Sequence, residues 1–304
     1  MTSSFKLIIE KLWPDKSNQF YDPKEIKNKI ASLGHVSTEP KDLLIFFIST
    51  LHEELNKPPM KFINKNINLD KTNKQLMLQL FTEDFINSNQ SIISDLFYGV
   101  NCNIFQCSNC KSKSYEYQTY TFFDFPLEEI KLYKNQILNN NNNNNITNFS
   151  PNNNSNEINI YDCLEYEQRE YLMGDKQKYC EYCLRLADHM KIRTIARGSK
   201  IITIILNRGN EKQFNIKINF FEDLNLSNFI EFKTTGVFYR LIGMISYSRD
   251  KNMKKHFIAF CKSPIDSLWY LYDDSKGKRV NNFPLEIENT IPCVLLYQKK
   301  NFFI

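Results

Sequence analysis

Several features of secreted and membrane proteins are missing from this chain. No apolar run reaches the length of a membrane span, and the leading segment MTSSFKLIIEKLWPDK lacks the apolar stretch of a signal peptide. We therefore expect a soluble intracellular protein, cytoplasmic or nuclear, without membrane contact. In that setting the eight cysteines are expected to be metal ligands and buried thiols rather than a disulfide framework.

Glycine and concentrated positive charge are also scarce. There are 8 glycines beside 24 phenylalanines and 16 tyrosines, so aromatic side chains must carry much of the packing. The net charge of +5 is modest for 304 residues and forms no arginine-rich stripe, so it argues only weakly for a nucleic-acid partner. The length suits one large domain or two small ones, and 42% hydrophobic residues allow a core of ordinary size.

Two Cys-x-x-Cys pairs are the most informative motifs. Cys107 and Cys110 form the first pair, and Cys180 and Cys183 form the second. A gap of two residues lets a tight turn aim both sulfurs at one ion, and two such turns complete a tetrahedral four-sulfur shell. We therefore predict one structural Zn²⁺ bound by these four residues. Four buried or redox-active cysteines are the alternative that the pattern leaves open.

Helical periodicity dominates the first hundred residues. Apolar residues recur at helical spacing, Pro14 ends the first pattern, and Asp22-Pro23 is a fair helix start. The predicted segments are a helix over 5–13, a helix over 22–34, a mostly buried helix over 40–56, a loop over 56–80 and a short helix over 92–99.

Strand patterns dominate after residue 100. Alternating aromatic residues predict a long hairpin with the first Cys-x-x-Cys at its turn, and the second pair is expected on another hairpin after a helix over 160–174. Residues 201–208 are almost continuously apolar, which predicts a central buried strand. Four short apolar runs between 239 and 299 predict strands of one antiparallel sheet. The tract 138–156 contains seven consecutive asparagines, and we expect it to be disordered.

Five blocks follow one another along the chain: KDLLIFFISTLHEELN, ISDLFYGVNCNIFQCSNC, YDCLEYEQREYLMGDKQKYCEYC, IITIILNR and the C-terminal run YRLIGMISYS, KKHFIAFCKS and WYLYDD. In order and spacing, these blocks resemble the ubiquitin-specific protease family of cysteine deubiquitinases. The first block is similar to the family's Gln-Asp-Ala helix, and the last is similar to its histidine box with the Asp-Asp turn that follows. The resemblance extends from about residue 20 to the C-terminus, except for the asparagine tract.

The resemblance implies an α+β fold of the papain-like type, with a thumb, a palm and zinc-stapled fingers in one domain over 1–304. Residues 1–100 would form the mainly helical thumb. Residues 101–137 and 157–200 would form the fingers with their zinc knuckles. Residues 201–304 would form the palm sheet.

The resemblance also assigns a histidine and two aspartates to catalysis. A cysteine peptidase needs a thiolate, a histidine that activates it and a carboxylate or amide that orients the histidine. By resemblance, His256 is the general base, Asp273 fixes its tautomer, and Asp274 is a second polar group near the oxyanion. Two adjacent antiparallel strands would place Asp273 near His256. A surface histidine that follows two lysines is the alternative interpretation of His256.

The family's nucleophilic cysteine has no counterpart in the chain. The family carries it upstream of the Asp-containing helix, whereas the first cysteine here is Cys102. None of the four cysteines outside the Cys-x-x-Cys pairs matches the family's nucleophile position; they are Cys102, Cys163, Cys261 and Cys293. We therefore expect residues 1–304 to be inactive alone, either as an N-terminally incomplete copy of the fold or as a pseudo-enzyme. The survival of the other motifs favours the loss of a leading segment.

The resemblance implies ubiquitin or ubiquitinated proteins as partners of a monomer. Asp42 would pair with arginines of ubiquitin's basic tail, although a charge that stabilises the start of a helix is an equal interpretation. Lys41 departs from the family's Gln at the preceding position, which leaves tail binding open. The alternative functions are a non-catalytic ubiquitin-binding protein of the same fold and a zinc-ribbon nucleic-acid binder. The long separation of the two cysteine pairs disfavours the ribbon.

Overall fold

A computed structural model describes residues 1–12, 22–59, 70–142, 157–208, 216–231, 237–249, 255–274, 276–283, 287 and 290–300. Within these ranges the helices are α1 (Thr2–Leu12), α2 (Lys24–Ser32), α3 (Pro40–Leu55), α4 (Lys74–Ser88), α5 (Ile92–Phe97), α6 (Leu127–Asn142) and α7 (Ile160–Gln168), with a 3-10 turn at Gly174–Lys176. None of the described helices combines the length and the apolar character that a membrane crossing requires.

The strands of the described ranges fall into two larger sheets and two small ribbons. They are β1 (Gly99–Cys107), β2 (Lys113–Tyr120), β3 (Phe123–Pro126), β4 (Glu157–Asn159), β5 (Arg169–Leu172), β6 (Lys178–Cys180), β7 (Arg185–Ala187), β8 (His189–Arg197), β9 (Ile201–Asn207), β10 (Lys217–Asn219), β11 (Asp223–Asn225), β12 (Phe238–Arg249), β13 (Lys255–Lys262), β14 (Trp269–Asp273), β15 (Lys276–Val280) and β16 (Ile291–Lys299).

The smaller of the two main sheets is antiparallel, with the order β2-β1-β8-β5. Helix α4 packs on it through Met77, Leu78 and Phe81, which lie against Tyr117 and neighbouring apolar residues. The β6–β7 ribbon follows β5 in the chain and returns into β8. Consequently both Cys-x-x-Cys turns lie at the same end of this sheet.

The larger sheet carries the main core. Its order is β15-β14-β13-β12-β16-β9-β3, with β11 paired to β12, and only the β3–β9 pair on this path is parallel. The central strands β9 and β16 are rich in β-branched and aliphatic residues; β9 is buried along most of its length, and β16 is buried or half-buried except at its last two residues. Such near-continuous apolar runs are typical of strands covered on both faces. Val294 and Leu295 are fully buried there.

Local signals explain where several helices begin. Pro40 occupies the first turn of α3, where its missing N–H costs nothing. The Asn73 side chain accepts a hydrogen bond from the Leu76 N–H at the start of α4. Ser91 and Ser94 form a reciprocal capping box at the start of α5. These caps satisfy backbone donors that would otherwise lack partners.

Most sequence-based predictions of local structure are confirmed. The helices at 2–12, 24–32 and 92–97, the hairpin at 99–120, the central strand at 201–207 and the strands of the C-terminal sheet are all present. Trp13, predicted as part of the first helix, lies outside the described residues.

Four predictions of local structure were wrong. The predicted loop over 56–80 contains the start of α4 at Lys74, because the apolar face that packs on β2 was hidden among polar residues. Helix α3 is not mostly buried, since only Ile48 and Leu51 are buried. Residues 169–172 leave the predicted helix and pair with β8 as β5. Helix α6 was missed, and it continues to Asn142 in the tract predicted to be disordered; residues 143–156 lie outside the described ranges.

The central strand β16 provides a test of the larger sheet. Leu295→Ala removes a fully buried side chain and should lower the free energy of unfolding by about 2–5 kcal/mol. Leu132→Ala, on an exposed position of α6, should change it by no more than about 0.5 kcal/mol. Urea unfolding followed by circular dichroism measures both. Equal effects of the two substitutions would contradict the described packing.

Candidate active site and metal centre

Strand pairing brings His256 and Asp273 together. The register of β13 and β14 runs from Lys262↔Trp269 to Ala259↔Tyr272, and its continuation places Asp273 opposite Ile258. His256 lies two residues before Ile258 on β13, and its side chain therefore projects from the same face of the sheet as that of Asp273. Diagonal neighbours of this kind are within reach of long side chains. His256 Nε2 and Asp273 Oδ1 are 2.6 Å apart.

This contact determines what the imidazole can do. A carboxylate can only accept a hydrogen bond, so it selects the ring tautomer that carries its proton on Nε2. The lone pair is then on Nδ1, which is the arrangement that a general base needs. The side chains of His256 and Asp273 are 30% and 47% exposed, so the pair lies at the surface and not in the core.

Asp274 completes the predicted trio. Its carboxylate, the carboxylate of Asp273 and the His256 ring each offer an atom within 4.8 Å of the others. The backbone of Asp274 has a left-handed φ of 50°, a conformation in which Asp is one of the more tolerant residues. The turn after β14 thus presents two adjacent carboxylates beside one imidazole.

No thiol accompanies this trio. All eight cysteines belong to the described residues, and none joins the His256 group. Cys261 is five residues away on the same strand, which is about 17 Å along the strand and on its opposite face. Cys293 is on β16, and β12 separates that strand from β13, so the two strands are about 10 Å apart. Burial raises the pKa of Cys293 to about 11, so it remains a neutral thiol at physiological pH.

The four motif cysteines form a second convergent group. Cys107 Sγ is 4.0 Å from Cys183 Sγ, and Cys110 Sγ is 3.6 Å from Cys180 Sγ. All four sulfurs lie within 4.8 Å of one another. A tetrahedral zinc site with Zn–S bonds of about 2.3 Å has sulfurs about 3.8 Å apart. The residues therefore fit a zinc ion, and the spacings are far longer than the roughly 2.05 Å of a disulfide bond.

The electrostatics of this group suit a divalent cation. Hydrogen bonding by the Ser112 side chain and backbone lowers the pKa of Cys110 to about 6. Hydrogen bonding within the cluster, first with Cys110, raises the pKa of Cys183 to about 12. Four adjacent thiolates repel one another, so the last protons leave only when a cation replaces them.

Neighbouring contacts hold the two knuckles together. Lys178 forms an ion pair with Glu116 at 2.5 Å and lies 3.5 Å from the centre of the Phe105 ring. The Ser108 N–H also donates to the Asp188 carbonyl at 2.9 Å. These contacts join the β6–β7 ribbon to the β1–β2 hairpin independently of the sulfurs.

Sequence reasoning missed Ser112, which contacts two of the predicted ligands. Its Oγ is 3.0 Å from Cys110 Sγ and 3.5 Å from Cys180 Sγ. The signal was its position two residues after Cys110, directly before strand β2. Asp42 belongs to neither group. It lies in the first turn of α3, where Ser37 Oγ donates a 2.6 Å hydrogen bond to Asp42 Oδ2.

Comparison with known proteins shows the family and the fold of this chain. A sequence model of the family described as ubiquitin carboxyl-terminal hydrolase matches residues 1–297. Ubiquitin carboxyl-terminal hydrolase 2 of Gallus gallus is 24% identical over 91% of this chain and 74% of its own length. The Homo sapiens protein of that name is 22% identical over 90% of this chain, and hydrolase 4 of Saccharomyces cerevisiae is 25% identical over 84% of it. The chain spans 44% and 28% of these two relatives.

Solved structures show the same fold. The yeast SAGA DUB module with a mutant Sgf73 superimposes with a TM-score of 0.63 at 16% identity, over 99% of this chain and 58% of the other. The Ubp8/Sgf11/Sus1/Sgf73 module bound to monoubiquitin gives a TM-score of 0.52 at 17% identity, over 75% and 47%.

The helical N-terminal part and the two sheets are those of a protein of the papain-like α+β class, as the family resemblance implied. Within that class, the chain belongs to the ubiquitin carboxyl-terminal hydrolase family.

The His256–Asp273 hydrogen bond has a direct spectroscopic test. A short bond to a carboxylate should protect the Nε2 proton from exchange, so we expect a downfield imidazole N–H resonance in the proton NMR spectrum. Asp273→Ala should abolish this resonance. Asp266→Ala, which removes an exposed carboxylate bonded to Tyr270, should leave it unchanged. Persistence of the resonance in Asp273→Ala would show that another group holds the ring.

Proposed function

We propose that this chain is a ubiquitin-specific protease domain that binds ubiquitin and that, as residues 1–304 alone, does not hydrolyse ubiquitin conjugates. The observation that carries the proposal is the 2.6 Å His256–Asp273 contact within a fold of this family. Relatives named ubiquitin carboxyl-terminal hydrolase and a structural neighbour bound to monoubiquitin support ubiquitin as the partner.

In the proposed chemistry, the imidazole and the two carboxylates have different roles. His256 Nδ1 accepts the proton of an attacking thiol, and Asp273 holds the ring and stabilises the imidazolium that forms. Asp274 is a polar group beside the developing oxyanion. No cysteine of residues 1–304 lies beside His256, so these residues cannot form an acyl-enzyme by themselves. A non-catalytic ubiquitin-binding role is the function that this absence favours if no thiol is supplied.

The proposed division of the domain follows the predicted boundaries. We assign 1–100 to the thumb, 101–137 and 157–200 to the fingers, and 201–304 to the palm. The structural zinc would be held by the four clustered cysteines at the end of the fingers, where it would supply only a cross-link between segments. Asp42, at the start of α3, is the proposed anion for the basic tail of ubiquitin.

Binding of ubiquitin tests the proposal. Isothermal titration of residues 1–304 with ubiquitin should give saturable one-to-one binding. Asp42→Asn should weaken it about three- to tenfold, because it removes one charge-assisted contact. Glu53→Gln, an exposed substitution further along the same helix, should not change it. Absence of binding at high micromolar ubiquitin would overturn the proposal.

A second experiment tests for catalysis separately from binding. Ubiquitin that carries a thiol-reactive trap at its C-terminus should form no adduct with residues 1–304, as judged by intact-protein mass spectrometry. A stoichiometric adduct on one of the eight cysteines would contradict the proposed lack of a nucleophile. Binding to nucleic acid in place of ubiquitin would favour the zinc-ribbon alternative.

The metal assignment makes a separate prediction. Purified protein should contain one zinc per chain by atomic emission spectroscopy, and Cys110→Ser should lose most of it because the alcohol is a poor zinc ligand. The melting temperature should fall with the zinc content. Cys261→Ser, outside the cluster, should retain both. Equal zinc contents in the two variants would refute the assignment.

A further inference from the structure

A cavity of about 660 Å³ lies where the two sheets meet. It is bounded by the ends of β3 and β9, by α6 and α7, and by β5 and β8. Its polar and aromatic lining includes Asp124, Glu129, Tyr133, Tyr166, Glu167 and Arg193. None of these residues belongs to the His256 group or to the cysteine cluster.

The cations that line the cavity are already paired. Arg193 forms an ion pair with Glu167, and Lys191 and Lys176 lie 3.3 Å and 3.5 Å from the two carboxylate oxygens of Glu170. An anionic ligand would have to break these pairs. The cavity therefore does not suit an anion.

Two carboxylates of the lining differ from the others. Among the described residues, no cation lies within 4.0 Å of the carboxylate of Asp124 or of Glu129. Burial raises the pKa of Asp124, and the charge of Lys41 and a hydrogen bond with Asn207 oppose this effect. Both are exposed residues at the rim of the cavity, and a carboxylate without a counterion attracts an incoming cation.

Two aromatic rings stand beside these acids. Tyr133 and Tyr166 meet edge to face, with ring centres 5.5 Å apart. The Tyr166 hydroxyl donates a 2.7 Å hydrogen bond to Glu129 Oε2, which fixes that carboxylate next to the rings. Aromatic faces attract guanidinium and ammonium groups, most strongly where water is excluded.

We propose that this cavity binds an arginine or lysine side chain of the partner, with Asp124 and Glu129 as its anions and Tyr133 and Tyr166 as its walls. The carboxylates are not part of a convergent ligand set among the described residues, so a side-chain cation fits better than a metal ion. The identity of the partner, ubiquitin, rests on the proposed function. The preference of the cavity for a cationic side chain does not depend on that function.

A small probe tests the cavity itself. N-acetylarginine methylamide, titrated into residues 1–304, should shift the ring resonances of Tyr133 and Tyr166 saturably at millimolar concentration. The double variant D124N/E129Q should lose these shifts. Glu165→Gln, an exposed acid on the same helix as Tyr166 and outside the lining, should keep them. N-acetyllysine methylamide, used in parallel, tells whether a guanidinium or an ammonium is preferred.

Ubiquitin titration then tests the biological partner. D124N/E129Q should bind ubiquitin at least about tenfold more weakly and with a smaller salt dependence, because close charge pairs commonly contribute more than that. Glu165→Gln should bind like the unaltered chain. Thermal unfolding and the separate single variants D124N and E129Q show whether the double variant remains folded.

The outcomes are distinguishable. Absence of arginine-dependent shifts, or identical shifts in the double variant, overturns the inference whatever happens with ubiquitin. Saturable arginine shifts without any ubiquitin binding support the cavity and refute the proposed function. Ubiquitin binding that is unaffected by D124N/E129Q leaves the proposed function standing and refutes the role of the cavity in it.

Discussion

The antiparallel pairing of β13 with β14 determines where His256 and Asp273 meet. These two residues are 17 positions apart along the chain, so strand pairing brings them together. The register places Asp273 and His256 on one face, one diagonal step apart. A slip of one residue would send the carboxylate to the opposite face and leave the imidazole without its acceptor. The chemistry of this site is therefore a consequence of backbone hydrogen bonding in the large sheet.

Burial of its central strands stabilises that sheet. Branched aliphatic side chains of β9 and β16 lie in the core. Strand β12 lies between β16 and β13 in the sheet. The site lies on β13 and β14, toward the edge of the sheet that the largely exposed strand β15 forms. A buried centre and an accessible margin are what a reaction on a large partner requires, because the partner must approach a rigid and open surface.

The four clustered cysteines are also brought together by strand pairing, over longer separations in sequence. Its members are 70 and 76 residues apart in the closest sulfur pairs. The β1–β2 turn and the β6–β7 ribbon are brought together by the smaller sheet, by Lys178 and by the Ser108 contact. A metal ion would add a covalent-strength cross-link to an arrangement that backbone pairing has already set up. The junction between the two sheets also encloses the acidic cavity, which no single segment of the chain contains.

Much of the local structure could be predicted from the sequence, and the wrong predictions have a common cause. Cys-x-x-Cys spacing, the alternation around Cys107 and the apolar run at 201–207 are local patterns, and each predicted its element correctly. Helix α4 was missed because its apolar residues pack on a sheet that forms later in the chain. Strand β5 was read as helix because only its pairing with β8 overrides the helical pattern.

The sequence by itself determined the family, the candidate catalytic residues, the candidate zinc ligands and the absence of a thiol ahead of Cys102, since these depend only on residue type and spacing. The tertiary structure alone decided that His256 Nε2 touches Asp273, that Ser112 joins the sulfur cluster, and that Asp124 and Glu129 share a cavity with two tyrosines. These facts depend on strand register and on helix packing across the sheets. Both arise from contacts between residues far apart in the chain, which no local pattern records.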